Sequence, residues 1–389
     1  MSLFVEFHLI QNFAPSNLNR DDTGAPKDAL FGGHRRARVS SQCFKRAIRL
    51  QARAVGAVAV SDRGVRTKKL LGLLTEQLRA MGHEEESESR PRVELALSAA
   101  GLKLGDDGKT EYLLFLGQRE IDAFAALVHD HWDELAGVPA EAGKPKKSKK
   151  ESKADAPEAV KKKAQKLLDG GKAVDVALFG RMLADLPEAN QHAACQVAHA
   201  LSTHRVEREF DYFTAVDDEG GADETGAGMI GQVEFNSATF YRYAVLDADK
   251  LVQNLQGDRS LALAGTAAFT DALARAIPTG KQNTFAAHNP PSFVGVVIRH
   301  ASPFNLANAF ERPVWPDRYK ALTAQSVEAL AAHERQLAGF YGDARDTWAF
   351  MDLTGAWPQD LGEAQSSLAA LTGWVGRQVA AHLGATAQA

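Results

Sequence analysis

Only two of the 389 residues are cysteine, Cys43 and Cys195. That scarcity excludes a disulfide framework and a Cys-based zinc site, and it makes a reducing cytoplasm the expected compartment. Apolar runs of membrane-spanning length are missing too, so no membrane partner is expected. The opening stretch MSLFVEFHLI has neither the basic n-region nor the small-residue cleavage site of a secretion signal. A Walker A loop is absent, because Pro278-Thr279-Gly280-Lys281-Gln282 lacks the upstream glycine and the hydroxyl residue. One run invites a metal, His129-Asp130-His131-Trp132-Asp133. On a helix His129 and Asp133 share a face while His131 points away, and two ligands make a poor site. Neither a metal nor a cofactor is expected. Charge of one sign is also lacking overall, with 45 Lys and Arg against 49 Asp and Glu, a net of −4. A hydrophobic content of 45% and this length suit a soluble globular chain of about two domains.

Against that mildly acidic background, residues 16–53 (SNLNRDDTGAPKDALFGGHRRARVSSQCFKRAIRLQAR) stand out. Nine Lys or Arg oppose three Asp there, leaving +6. A basic block inside an acidic chain marks a face for a polyanion, unless it is an ordinary solvated surface. Asn, Asp, Gly and Pro predict a loop as far as Gly33, then a short extended piece at Arg36-Ala37-Arg38-Val39. Ser40 or Ser41 can accept from free amides and start a helix. On it Gln42, Lys45, Arg49 and Arg53 recur on one face, beside an apolar stripe of Phe44, Ala47 and Ile48. A helix with one side in the core and a row of cations outside suits a phosphate backbone.

Along the chain, Leu3, Val5, Phe7 and Leu9 alternate with Glu6 and His8, a first strand with one buried face. Residues 61–200 read as a helical insertion, with periodic helices over Leu70 to Met81 and Ile121 to Leu135 and a solvated acidic loop at Glu84-Glu85-Glu86. Within it, residues 141–166 are Lys-rich and of low complexity, expected to be disordered or loosely helical. They read either as a sequence-blind clamp on nucleic acid or as a solubilising loop. Residues 201–245 read as a long hairpin, with Phe210 to Val216 and Val233 to Val245 as strands around an acidic, Gly-rich tip. A helix over Ser260 to Ala276 and a strand over Phe293 to Ile298 follow, within residues 246–312. The order, strand–helix–hairpin strands–helix–strand, predicts an α+β fold with an RRM-like or ferredoxin-like core that begins in residues 1–60. Residues 313–389 read as helical, with Trp315, Trp348, Trp357 and Trp374 anchoring them.

The segments SNLNRDD, KDALFGG, RRARVSSQ and FKRAIR, in one unbroken run, resemble the guide-RNA-coating backbone subunit of CRISPR Cascade, subtype I-E. VDVALFGRM at 174–182 and Tyr212-Phe213-Thr214-Ala215-Val216 resemble the same family. The resemblance implies a palm core, helical fingers and a hairpin thumb. It implies a non-enzymatic subunit that polymerises head to tail along the guide RNA (crRNA) beside other Cascade subunits. Such a subunit displays the guide for pairing with a target DNA strand, which a recruited helicase-nuclease then cuts. Arg20, Lys27, Ser40, Gln42, Lys45 and Arg49 are implied RNA contacts of the palm; Arg49 stands where the family often has Lys. Met182 and Phe213 are implied to wedge against the RNA. Read without the family, each is a core filler. The competing class is a metal-dependent endoribonuclease using Asp21 or Asp22, as in related type III backbone subunits. A plain single-strand coat is the third reading. The preferred reading of Asp21 and Asp22 is loop structure and pairing with neighbouring arginines.

Overall fold

The computed structural model describes residues 2–136, 156–215 and 229–384. The acidic hairpin tip and residues 141–155 of the Lys-rich run lie outside them. The chain divides into two compact units. One comprises Met1–Ala57, Cys195–Lys250 and Leu263–Ala389; the other comprises Val58–Ala194 and Leu251–Ala262.

The first unit is an α+β sandwich built on a ten-stranded sheet. Its elements are β1 (Phe4–Ser16), β2 (Asp28–Phe31), β3 (His34–Val39), α1 (Ser41–Ala54), β4 (Cys195–Val197) and β5 (Ala200–Ser202). They continue with β6 (Glu209–Ala215), β7 (Met229–Asp247), α2 (Arg259–Arg275), β8 (Phe293–Arg299), α3 (Leu322–Tyr341), β9 (Thr347–Asp352), β10 (Glu363–Ala364) and α4 (Leu368–Leu383). At the centre, β8, β1, β7 and β5 are neighbours in that order, each antiparallel to the next, with α1 and α2 in the two crossovers. This is the split βαβ arrangement that the order of elements anticipated. The expected loop before Gly33 instead contains β2, which pairs with β3 from Asp28↔Ala37 to Phe31↔His34. Gly32 and Gly33 make the two-residue turn at φ 58° and 76°, a conformation open to glycine. The C-terminal region is not wholly helical, since β9 extends the sheet beyond β8.

β1 is buried on both faces, which overturns the one-sided reading of its alternation. Val5, Phe7 and Leu9 pack towards the crossover helices, with Phe7 edge-to-face on Phe269 at 5.4 Å. Glu6 and His8, on the other face, are 0% exposed. That face is closed by α3, the segment before it and two tryptophans beyond it, through Leu306, Phe310, Val327, Leu330, Trp348 and Trp357. Two carboxylates survive there because they share a cation. Arg299 donates to Glu6 at 2.9 Å and to both oxygens of Glu334 at 2.8 Å. Tyr243 donates to Glu6, and Trp348 Nε1 to Glu334. Burial pushes the Arg299 guanidinium down, but Glu334 and Glu6 outweigh it and hold its pKa above the ordinary value. Trp348, Trp357 and Trp374 are buried as expected, whereas Trp315 is exposed.

In the second unit, helices Leu70–Ala80, Glu86–Ala99 and Gln118–Asp130 and the two-stranded sheet Gly64–Thr67/Leu114–Gly117 share one apolar core. Glu86–Ala99 begins inside the expected acidic loop. Its polar first half and internal Pro91 hide the Val93, Ala96 and Leu97 stripe that buries it. The end of the Lys-rich run is an ordered helix, Glu158–Lys166, because Val160 and Ala164, four residues apart, are both 0% exposed in that core. Glu120 pairs with Arg181 at 2.8 Å, both fully buried. No helix among the described residues is long and apolar enough to cross a membrane.

Candidate nucleic-acid interface

α1 starts where the sequence placed it. Ser40 is the N-cap, its hydroxyl accepting from Cys43 N at 3.4 Å while its own amide donates to Asn19 Oδ1 at 2.8 Å. His199, from the turn between β4 and β5, accepts from Ser41 N at 3.2 Å through Nδ1. Phe44, Ala47 and Ile48 are buried, as the periodicity requires. Burial of Phe44 and Ile48 is worth roughly 1.5–3 kcal/mol each. The Arg242 guanidinium lies 4.1 Å over the Phe44 ring, bonded to Gln11 and to Leu273 O. With no carboxylate in that set of contacts, burial drags its pKa down to about 9. The outward side of α1 carries Gln42 and Arg46, exposed, and Lys45, Arg49 and Arg53, half-buried along the stripe.

The loop ahead of α1 is a folded object. Asn17 Nδ2 donates to Gly24 O at 3.0 Å and to Glu234 O at 2.8 Å, tying the loop to β7. Asp21 Oδ1 accepts from Thr23 N, Thr23 Oγ1 and Ala25 N at 3.0, 2.7 and 3.0 Å. The Thr23 hydroxyl, ahead of the loop amides, holds the Asp21 carboxyl below its ordinary pKa. The expected loop role of Asp21 takes the form of an Asx-type cap, the motif that short acidic side chains favour in turns, and Arg208 adds a weaker electrostatic attraction. Lys27 is set beside Arg38 by backbone bonds, Lys27 N to Asn19 O and Arg38 N to Lys27 O, both 2.9 Å. Arg36 is withdrawn from the basic face. It is 0% exposed and donates to Ser202 O, Phe310 O and Glu311 O.

Arg20, Lys27, Ser40, Gln42, Lys45 and Arg49 therefore gather on the loop, cap and outer face of α1 in one unit. Ser40 is buried, its hydroxyl oxygen committed to the cap. Arg20 shares a cleft of about 350 Å³ with Arg46, Cys43, Ala47 and the backbone turn Pro278-Thr279-Gly280. Arg46, His199 and that turn escaped sequence reasoning. Arg46 lies off the periodic row, and nothing local ties 199 or 278–280 to α1. Met182 belongs to the other unit and is 79% exposed, which removes the core-filler reading. Phe213 on β6 is 39% exposed, its ring lying across Gly231 on β7. Phe210 and Tyr212 are exposed on the opposite face of the ribbon. Arg208 fastens the base of the ribbon by bonding Asp28 at 2.9 Å and Glu234 at 3.2 Å. Among the described residues no group of three or more His, Cys, Asp or Glu could hold a metal ion.

Acid should loosen this region. His204 takes an N–H from Thr239 on Nε2 at 3.1 Å and gives Nδ1–H to Arg205 O at 2.8 Å, a neutral tautomer. Burial depresses its pKa, and burial followed by Arg38 and Lys27 depresses that of His199. The unfolded chain then binds these protons more readily. Their contribution is complete above the unfolded value near 6.5 and is lost as pH falls through the folded values. The melting temperature should hold steady from pH 8 to 7 and decline below about 6.5. Replacing His204 with Gln should flatten the decline; the same decline in that variant would remove His204 as its source.

The profile of the CT1975-like protein family, Cas_CT1975, matches residues 5–374. A chain of a solved "CRISPR RNA-guided surveillance complex, pre-nicking" is 32% identical, with 97% of this chain and 100% of that chain covered and a TM-score of 0.83. A chain of another "CRISPR RNA-guided surveillance complex" is 28% identical over 96% of this chain and 99% of that one, with a TM-score of 0.73. No curated protein matches. With nearly its whole length matched by that profile, and a relative 32% identical from end to end, the chain belongs to the CT1975-like family of CRISPR-associated proteins.

Proposed function

We propose that the chain is a non-enzymatic backbone subunit of a subtype I-E Cascade complex that coats the guide RNA and polymerises head to tail along it. The observation that carries this reading is the gathering of Arg20, Lys27, Gln42, Lys45, Arg46 and Arg49 on one loop and one helix of a chain whose net charge is −4. Cations on a rigid helix meet phosphates whatever the base sequence, as a guide with a variable spacer demands. An RRM reads bases on the open face of its sheet. Here α3, Trp348 and Trp357 occupy that face, which leaves the work to α1 and its loops. Met182 and Phe213 act as wedges that lift a base out of the stack at intervals. The stretches between stay stacked for pairing with target DNA, so base pairing rather than protein reads sequence. Neighbouring copies and other Cascade subunits complete the coat, and a separate helicase-nuclease cuts the target.

Purified with its complex, the chain should carry RNA of one discrete length, and paired RNA should stay intact in Mg²⁺. RNA of mixed lengths would make it a general coat. Mg²⁺-dependent cutting that disappears with Asp21→Ala and Asp22→Ala together would make it the nuclease.

A further inference from the structure

Two non-glycine residues close together hold left-handed backbone. Lys281 has φ 51° and ψ 28°, Ala286 has φ 47° and ψ 38°, and they bracket the short helical turn Gln282–Phe285. L-residues avoid this region because Cβ crowds the following carbonyl, and glycine would occupy it freely. A lysine kept there points to a use for its side chain, since strain of this kind concentrates at ligand sites.

The location agrees. Gly280, just before Lys281, lies backbone-to-backbone on the loop ahead of α1; a Cβ at 280 would come 2.3 Å from Leu18 O. Pro278, Thr279 and Gly280 thereby form one wall of the cleft lined by Arg20 and Arg46. The turn is braced on both sides. Gln282 Nε2 donates to Pro278 O at 2.9 Å, and the Phe285 ring sits 5.7 Å from that of Phe235 at the base of the β6–β7 ribbon. Arg20 and Arg46 are exposed and Lys281 is half-exposed, and none of the three forms an ion pair among the described residues. The one carboxylate on the cleft, Asp21, has an oxygen committed to three loop donors. Arg20 and Arg46 on a cleft of about 350 Å³, with Thr279 in its wall and Lys281 the residue that follows that wall, suit a phosphodiester of a single strand.

We propose that the 278–286 turn is the third wall of the RNA-binding surface, Lys281 and Thr279 contacting the backbone of the strand that α1 holds. This rests on the guide-RNA reading above. The turn bridges the loop before α1 and the base of the ribbon bearing Phe213, so the strand passes from the cationic helix to the aromatic along it. Lys281 is a strained residue held for its charge, and stability and binding there oppose one another.

Lys281→Gly and Lys281→Ala separate the two roles. Both should weaken binding of a single-stranded RNA oligonucleotide and lower the log–log salt slope by about 0.7, one phosphate on a single strand. Glycine should also raise the melting temperature, by about 2 °C, through relief of the left-handed conformation, while alanine should not. Wild-type affinity and slope in a stabilised glycine variant would overturn the proposal. The control is Lys45→Ala with Arg49→Ala. If that variant loses RNA while Lys281→Gly does not, the guide-RNA reading stands and only the third wall fails. If the wild-type chain binds no RNA, the reading itself fails.

Discussion

Replacing Arg299 with alanine should be among the most damaging single substitutions in the fold, costing roughly 3–5 kcal/mol. The guanidinium is 1% exposed and holds the carboxylates of Glu6 and Glu334, themselves 0% and 2% exposed, with Asp346 at 3.2 Å. Its removal strands two negative charges between the sheet and α3, where water does not reach them. Domain stabilities run to about 5–15 kcal/mol, so a loss of this size takes a large share of the total. Urea unfolding should show a lower midpoint with little change in slope, because the surface exposed on unfolding is almost unchanged. A triple change that also makes Glu6 and Glu334 neutral (Glu6→Gln, Glu334→Gln) should recover part of the loss, since the penalty comes from unpaired charge. A cost below about 1 kcal/mol for Arg299→Ala would mean water or a neighbour takes over the pairing, and that this face is less sealed than the packing indicates.

The largest functional effect is expected from Lys45→Ala combined with Arg49→Ala. Both lie on the outer side of α1, next to the buried Phe44 and Ile48. Releasing two phosphates of a single strand should reduce the salt slope by about 1.4. The drop in affinity should be the same for oligonucleotides of unrelated sequence, because phosphate contacts carry no base information. Alanine is a better helix former than either residue, so α1 should persist, and circular dichroism would confirm it. An unchanged slope would show that these side chains do not meet phosphate. A preference that differs between sequences would place them on base edges instead.

Much of this was legible in order along the chain. The alternation of β1, the serine cap and 3.6-residue stripe of α1, the long helix at α2 and the apolar run of β8 are local patterns; the structure keeps the last three within a few residues, while β1 runs on to Ser16 and is covered on both faces. The split βαβ core follows from their sequence alone, since few topologies accommodate that order. The cationic row on α1 is local for the same reason: residues three and four apart share a face wherever the helix docks.

Tertiary structure decided what each exposed-looking charge was for. Glu6 and His8 looked like the wet side of a strand until α3, more than 300 residues later, covered them. Arg36 read as one more cation of the basic block, yet carbonyls near residues 202 and 310 draw it into the core. Trp315 looked like an anchor and is open to solvent. The third wall of the cleft comes from a turn some 230 residues beyond α1 in sequence, placed by a glycine that lets two backbones touch. Periodicity reports which side of an element is apolar. It cannot report whether a polar side will meet water or a distant partner of opposite charge, because that depends on pairings between segments whose separation in sequence leaves no local trace.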